Sequence, residues 1–257
     1  MKRALLPFGV LAALAAGCGD DEEETGTPSG DTPPQLVVSA ASSMTEALTA
    51  CSQDYPDAEV KLQFAGSDEL AAQIRQGVKP DVYAAANTRL PDELNSEGLL
   101  SKPVVFATNE FVLAVPEGSD IKSLEDLTPK GVKIVIGSES VPIGEYTRES
   151  LGKLPAAQEK AILANVRSNE PDVKGIVGKL TQGAADAGFV YVTDVNATGG
   201  ELTAIKLPAK LEPDATYGAG VVKGAKEPKP AAAFVDGLVE GECADALQEA
   251  GFGAPPG

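Results

Sequence analysis

From Leu36 onward, short apolar runs rich in β-branched residues alternate with amphipathic stretches of helical length, and this alternation restricts the chain to few architectures. LVVSAA (36–41), EVKLQF (59–64) and DVYAAA (81–86) read as strands, with helical stretches over 43–53, 67–76 and 88–96. Such a series predicts βαβ units and a parallel sheet. FVLAVP (111–116) is a strand ended by proline. A second series follows: KIVIGS (133–138), helices around 144–154 and 156–163, NVRS (165–168), a helix over 173–182, AGFVYV (187–192) and LTAIKL (202–207). TYGAGVV (216–222) is a return strand, and 230–250 reads as two closing helices broken by Gly241. With 257 residues, 43% of them hydrophobic, the chain can fill one large core or two medium ones.

The expected fold class is therefore α/β, with two lobes, each a mainly parallel sheet flanked by helices. Residues 36–112 plus 217–257 form the expected lobe 1, and 113–216, hinge crossings included, lobe 2. Ligands on open α/β sheets bind outside the carboxyl ends of the strands. Between two lobes that places a site in the cleft, which hinge motion can close.

The N-terminal MKRALLPFGVLAALAAGCGD reads as a targeting segment (1–17), with Lys2 and Arg3 ahead of an apolar stretch too short to span a bilayer. LAAGC resembles a bacterial lipobox, which implies a lipidated Cys18, although Ala15 stands where leucine is usual and Leu14 lies one place earlier. The alternative is an ordinary secretory signal. Residues 18–35, acidic and rich in Gly, Pro, Thr and Ser, cannot bury apolar surface and read as a flexible tether. The protein is thus expected outside the cytoplasmic membrane, anchored by lipid to a bacterial membrane. That compartment permits a Cys51–Cys243 disulfide, the alternative being two buried thiols.

The net charge of −17 argues against nucleic acid as a partner and against general steering of anions. A bound anion would need local donors. Histidine is absent, which excludes Ser-His-Asp and Cys-His catalysis and removes the commonest metal ligand.

Four strand-to-helix junctions stand out: Ser42-Ser43, Gly66-Ser67, VPIG (141–144) and Asp172-Val173. A helix N-terminus leaves backbone N–H groups unpaired and partly positive, which suits an anion. Each junction also has an ordinary reading. Ser43-Met44-Thr45-Glu46 matches a capping box. Ser67 fits an N-cap, Pro142 and Gly144 fit a turn, and Val173 fits a core position.

Taken in order, VVSAASSMTEAL, FAGSDELAAQIRQGVKPDVYAAAN, NEFVLAVP, VPIGEYTRESL, EPDVKGIVGKLTQGAADAGFVYVTD and YGAGVV resemble the periplasmic molybdate-binding proteins that deliver oxyanion to an ABC importer. The resemblance implies the two-lobed class II binding-protein fold with molybdate or tungstate in the cleft, an ABC permease as partner, no cofactor and a monomer. Carried over by position, Ser43 and Ser67 would supply hydroxyl and backbone donors, Ile143 and Val173 backbone N–H groups, and Tyr191 its phenol. Ser42, Gly66 and Gly144 are further candidates. Ile143 replaces a smaller residue usual there, and Gly66 a frequent serine. Lys174 is set aside because its position does not direct it to the donors.

Two alternatives remain at this point. Sulfate or phosphate would keep the fold and change the ligand. Ser119-Asp120-Ile121-Lys122 matches S-x-x-K, the signature of a serine acyl-transfer enzyme, without its companion motifs.

Overall fold

The run QLVVSAA forms β1 (Gln35–Ala41), with Leu36, Val38 and Ala40 buried. A computed structural model describes residues 33–53 and 55–256; the expected signal peptide, Cys18 and most of the tether lie outside the described residues. β1 passes through a single 3-10 turn, Ser42–Met44, into α1 (Thr45–Gln53). There follow β2 (Glu59–Ala65), α2 (Ser67–Arg75), β3 (Val82–Ala85), α3 (Arg89–Ser96) and β4 (Val104–Asn109). The second series comprises β5 (Phe111–Pro116), β6 (Ile134–Gly137), α4 (Pro142–Gly152), α5 (Ala156–Leu163) and β7 (Val166–Glu170). It continues with α6 (Val173–Thr181), β8 (Ala187–Tyr191), α7 (Val192–Asn196) and β9 (Leu202–Lys206). β10 (Ala215–Val221), α8 (Pro228–Val239) and α9 (Glu242–Ala250) complete the described chain.

The strands form two sheets, ordered β2-β1-β3-β10-β4 and β7-β6-β8-β5-β9. In the first, β1 is parallel to β2 and β3, while β10 is antiparallel to both β3 and β4, so only β10 is reversed. In the second, β6 is parallel to β7 and β8, and β5 is the single reversed strand. The strands are thus mainly parallel in direction, and the reversed strand of each sheet arrives from the other series. The two lobes share one plan.

The crossings fall slightly away from the expected boundaries. Phe111 and Val112, expected in lobe 1, pair with Tyr191 and Val190 in the second sheet. Ala215 and Thr216, expected in lobe 2, pair with Asn109 and Thr108 in the first. Only Glu110 separates β4 from β5, so extended backbone runs through the crossing with no sequence signal to mark it.

β3, β6 and β8 are buried along their whole length, as strands covered on both faces must be. Cys51 at the end of α1 and Cys243 in α9 form a disulfide, with Cα atoms 5.0 Å apart. It ties the end of the chain to the first lobe.

Candidate functional site

Four strands, β1 and β2 from one sheet and β6 and β7 from the other, each end in a turn that starts a helix. In α4 the first residue is Pro142, which has no N–H, so Ile143 carries the first amide of that helix. In α6 the Asp172 carboxylate accepts the Gly175 N–H at 3.0 Å, leaving Val173 as the first helical residue with no acceptor inside the helix. In α2 Gly66 is the N-cap and Ser67 the first helical residue, so the N-cap reading of Ser67 is replaced. These turns enclose a small cavity lined by Ser42, Ser43, Gly66 and Ser67 from the first lobe and by Ile143, Val173 and Tyr191 from the second.

Gly144 is not part of the lining. Its N–H bonds the Val141 carbonyl at 2.9 Å, and a Cβ there would sit 1.8 Å from the Ser138 carbonyl oxygen. Gly144 therefore serves the packing of α4 on β6, which corrects its candidacy as an anion donor. At Gly66 a Cβ would lie 2.4 Å from the carbonyl oxygen of Pro171 in the other lobe. The missing side chain lets the lobes meet there.

The capping box at Ser43 does not form. The turn before α1 has no side-chain cap, and Glu46 instead accepts from Lys174 Nζ of the other lobe at 2.8–2.9 Å. Ser43 Oγ lies 2.9 Å from the Tyr217 hydroxyl. Ser67 Oγ accepts the Ala86 N–H at 3.1 Å, and the Ser67 carbonyl accepts from the Tyr83 hydroxyl at 2.8 Å. Both serines are buried.

Tyr191, at the end of β8, is 1% exposed, and its hydroxyl finds no hydrogen-bond partner among the described residues. A buried hydroxyl left unpaired costs about 1–3 kcal/mol, a cost that an acceptor in the cavity would remove. Burial pushes both Tyr191 and Tyr217 well above the usual phenol range, so both keep their protons.

Among the described residues no cationic side chain lines the cavity. Lys174 turns instead to Glu46 and to Asp194, whose Oδ1 is 3.3 Å away, near enough for charge pairing but not aligned for a hydrogen bond. Asp194 accepts the Tyr191 N–H at 3.2 Å. Burial pushes its carboxyl up to about 7, with Lys174 opposing the rise. The lobes are also joined beside the cavity by the Tyr146 hydroxyl on the Ala86 carbonyl at 3.2 Å, and by Glu145 with Asn87 and Arg89.

Ser119 and Lys122 show no nucleophile geometry. Lys122 Nζ bonds the Ser119 carbonyl at 2.7 Å rather than its hydroxyl, and Ser119 Oγ accepts the Ile121 N–H. The S-x-x-K match is a turn, and nothing there withdraws a proton from the serine.

Several neighbours of the cavity serines had no sequence signal. Ala86 sits at the end of β3, where Tyr191 sits at the end of β8, and contributes through its backbone. Tyr217 and Asn109 act from behind Ser43, and only the fold brings them there.

Residues 36–253 match the family of bacterial extracellular solute-binding proteins. The molybdate-binding protein ModA of Mycobacterium tuberculosis is 33% identical over 96% of each chain. The molybdate-binding protein ModA of Haemophilus influenzae is 29% identical over 74% of this chain and 79% of its own. The periplasmic molybdate-binding protein of Azotobacter vinelandii, 18% identical, has the same fold, with a TM-score of 0.77 over 86% of this chain and all of its own. The chain belongs to the bacterial extracellular solute-binding proteins.

Proposed function

We propose that the protein binds molybdate or tungstate in the interlobe cavity, outside the cytoplasmic membrane, and hands it to an ABC importer. The observation that carries this is a small cavity furnished with donors, into which the unpaired Tyr191 hydroxyl fits as one more; among the described residues no cation lines it, and its carboxylate, Asp172, is engaged by the Gly175 N–H. Ser43, Ser67 and Tyr191 would donate hydroxyl protons, and Ile143 and Val173 backbone N–H groups, with Ser42 and Gly66 beside them. Hydrogen bonds to an ionised oxygen are roughly twice as strong as neutral ones, which offsets stripping water from a dianion.

The cavity is small, about 10 Å³. Pockets for drug-sized ligands run to about 300–1,000 Å³, so a tetrahedral anion fits better than a sugar or nucleotide. The amides of Ile143 and Val173 can only donate, which favours a fully ionised oxyanion over hydrogen phosphate at those positions. The names of the ModA relatives point to molybdate. We read the protein as a binder rather than an enzyme, acting as a monomer and held to the membrane through lipid on Cys18.

Thermal shifts with molybdate, tungstate, sulfate and phosphate test the assignment. A ligand specific to the folded chain at about 100 times its Kd adds about 2.7 kcal/mol. Molybdate and tungstate should raise the melting temperature most. Stabilisation only by sulfate or phosphate, or by none of the four, would overturn it.

A further inference from the structure

We propose that Tyr217 and Asn109 are positioning residues that fix the polarity of the Ser43 hydroxyl, so that its proton points into the cavity and not away from it. The proposal rests on the oxyanion reading of that cavity.

The polarity can be followed atom by atom. Asn109 Oδ1 accepts the Glu110 N–H at 2.9 Å, which sets the orientation of the amide. Its Nδ2 then donates to Thr193 Oγ1 at 2.9 Å and to the Tyr217 hydroxyl at 3.4 Å. A phenol oxygen that accepts from Asn109 has its own proton to give, and Ser43 Oγ is 2.9 Å away. Accepting from Tyr217 leaves Ser43 Oγ its own proton for a ligand.

Ser67 shows the same arrangement independently. The Ala86 N–H, which can only donate, occupies Ser67 Oγ from behind. Two serines on different strand ends are thus each loaded by a buried donor, and each is left with a proton to direct forward. Ser43 Oγ keeps a second lone pair beside the one that faces the fully buried Tyr217, so the network leaves its proton free to donate without barring an accepted bond. The network keeps donors available to an oxyanion without contributing any charge.

A double-mutant cycle tests this, because residues acting through one another are non-additive. Calorimetric affinity for molybdate and melting temperature are measured for the wild type, Tyr217→Phe, Ser43→Ala and the double variant. Tyr217→Phe should weaken molybdate binding about tenfold, the scale of one hydrogen bond. In the Ser43→Ala background the same change should cost less than about twofold. Asn109→Ala, which leaves the Tyr217 ring in place, should give a smaller loss that also vanishes in that background. It carries the test if Tyr217→Phe does not fold. Equal losses from Tyr217→Phe and Asn109→Ala with and without Ser43, or no loss in the wild type, overturn the proposal while leaving the oxyanion reading standing. A Ser43→Ala chain that binds molybdate as tightly as the wild type overturns the role of Ser43 itself, and the proposal with it.

Discussion

The two lobes share a strand order, one reversed strand each and a pair of helix starts at the cleft, yet they furnish the cavity differently. The first lobe presents hydroxyls at Ser42, Ser43 and Ser67, with Ser43 hydrogen-bonded to the Tyr217 hydroxyl and Ser67 accepting the Ala86 N–H from behind. The second presents the apolar side chains of Ile143 and Val173, and at those positions only the backbone can donate. The comparison teaches that the shared plan supplies the amides, while side chains add donors where a lobe has small polar residues to spare. Side-chain truncation should therefore injure the first lobe, whereas only removal of an N–H should injure those positions of the second.

The largest expected difference between the lobes concerns stability. The Cys51–Cys243 disulfide ties α1 to α9, both in the first lobe, across a sequence separation of 192. Replacing both cysteines by serine should cost about 2–4 kcal/mol, or roughly 5–15 °C in melting temperature. Molybdate affinity should stay within about twofold, because the bridge lies at the far end of α1 from Ser43. A large loss of affinity would mean that the first lobe's donors depend on the bridge.

Next is the amide of Val173. Asp172 is already extended (φ −154°, ψ 173°), so proline fits at the first helical position. Val173→Pro should weaken molybdate binding about 10–100-fold by deleting one charge-assisted donor. Val173→Ala, which keeps the N–H, should change affinity less than about threefold. If the two variants behave alike in titration calorimetry, the donor is not the backbone. On the opposite lobe, Ser67→Ala should cost about tenfold.

The smallest effect concerns pH. Asp194 is raised from 3.8 to about 7 by burial. Between those values the folded chain holds a proton that the unfolded chain has lost, so this group's contribution to stability falls as pH rises from about 4 to about 7. Asp194→Asn removes that contribution and should flatten the melting-temperature profile over the same window. An unchanged profile would show that Lys174, the cation facing Asp194, already holds the carboxylate ionised, with Glu46 on the far side of Lys174.

Much of the architecture was legible in the sequence because apolar period and turn residues agree over most elements: FVLAVP is β5 residue for residue, and 156–163 is α5. β4 went unread because VVFATN is half-buried and ends in polar residues, so neither alternation nor a continuous apolar run marks it. α7 is five residues long, below the length at which a helical period can show. At the cavity, Ser43 alone read as a cap and became a ligand candidate through the other junctions and the family resemblance; the structure removes the cap by sending Glu46 to Lys174. The amides of Ile143 and Val173 leave no mark in side-chain chemistry; their junctions stood out as helix starts, and the family resemblance then singled out these two residues. Tyr217 was visible as a strand residue, but its pairing with a serine 174 positions away is a property of the sheet order alone.

The central claim is that donors from both lobes, and no cation, hold the oxyanion. A crystal structure grown with molybdate, with the metal located by its anomalous scattering, tests this most directly. The expected result is one anion whose oxygens lie about 2.7–2.9 Å from Ser43 Oγ, Ser67 Oγ, Ile143 N, Val173 N and the Tyr191 hydroxyl. Anomalous density elsewhere, or an anion held by Lys174 or another cationic side chain, would contradict it.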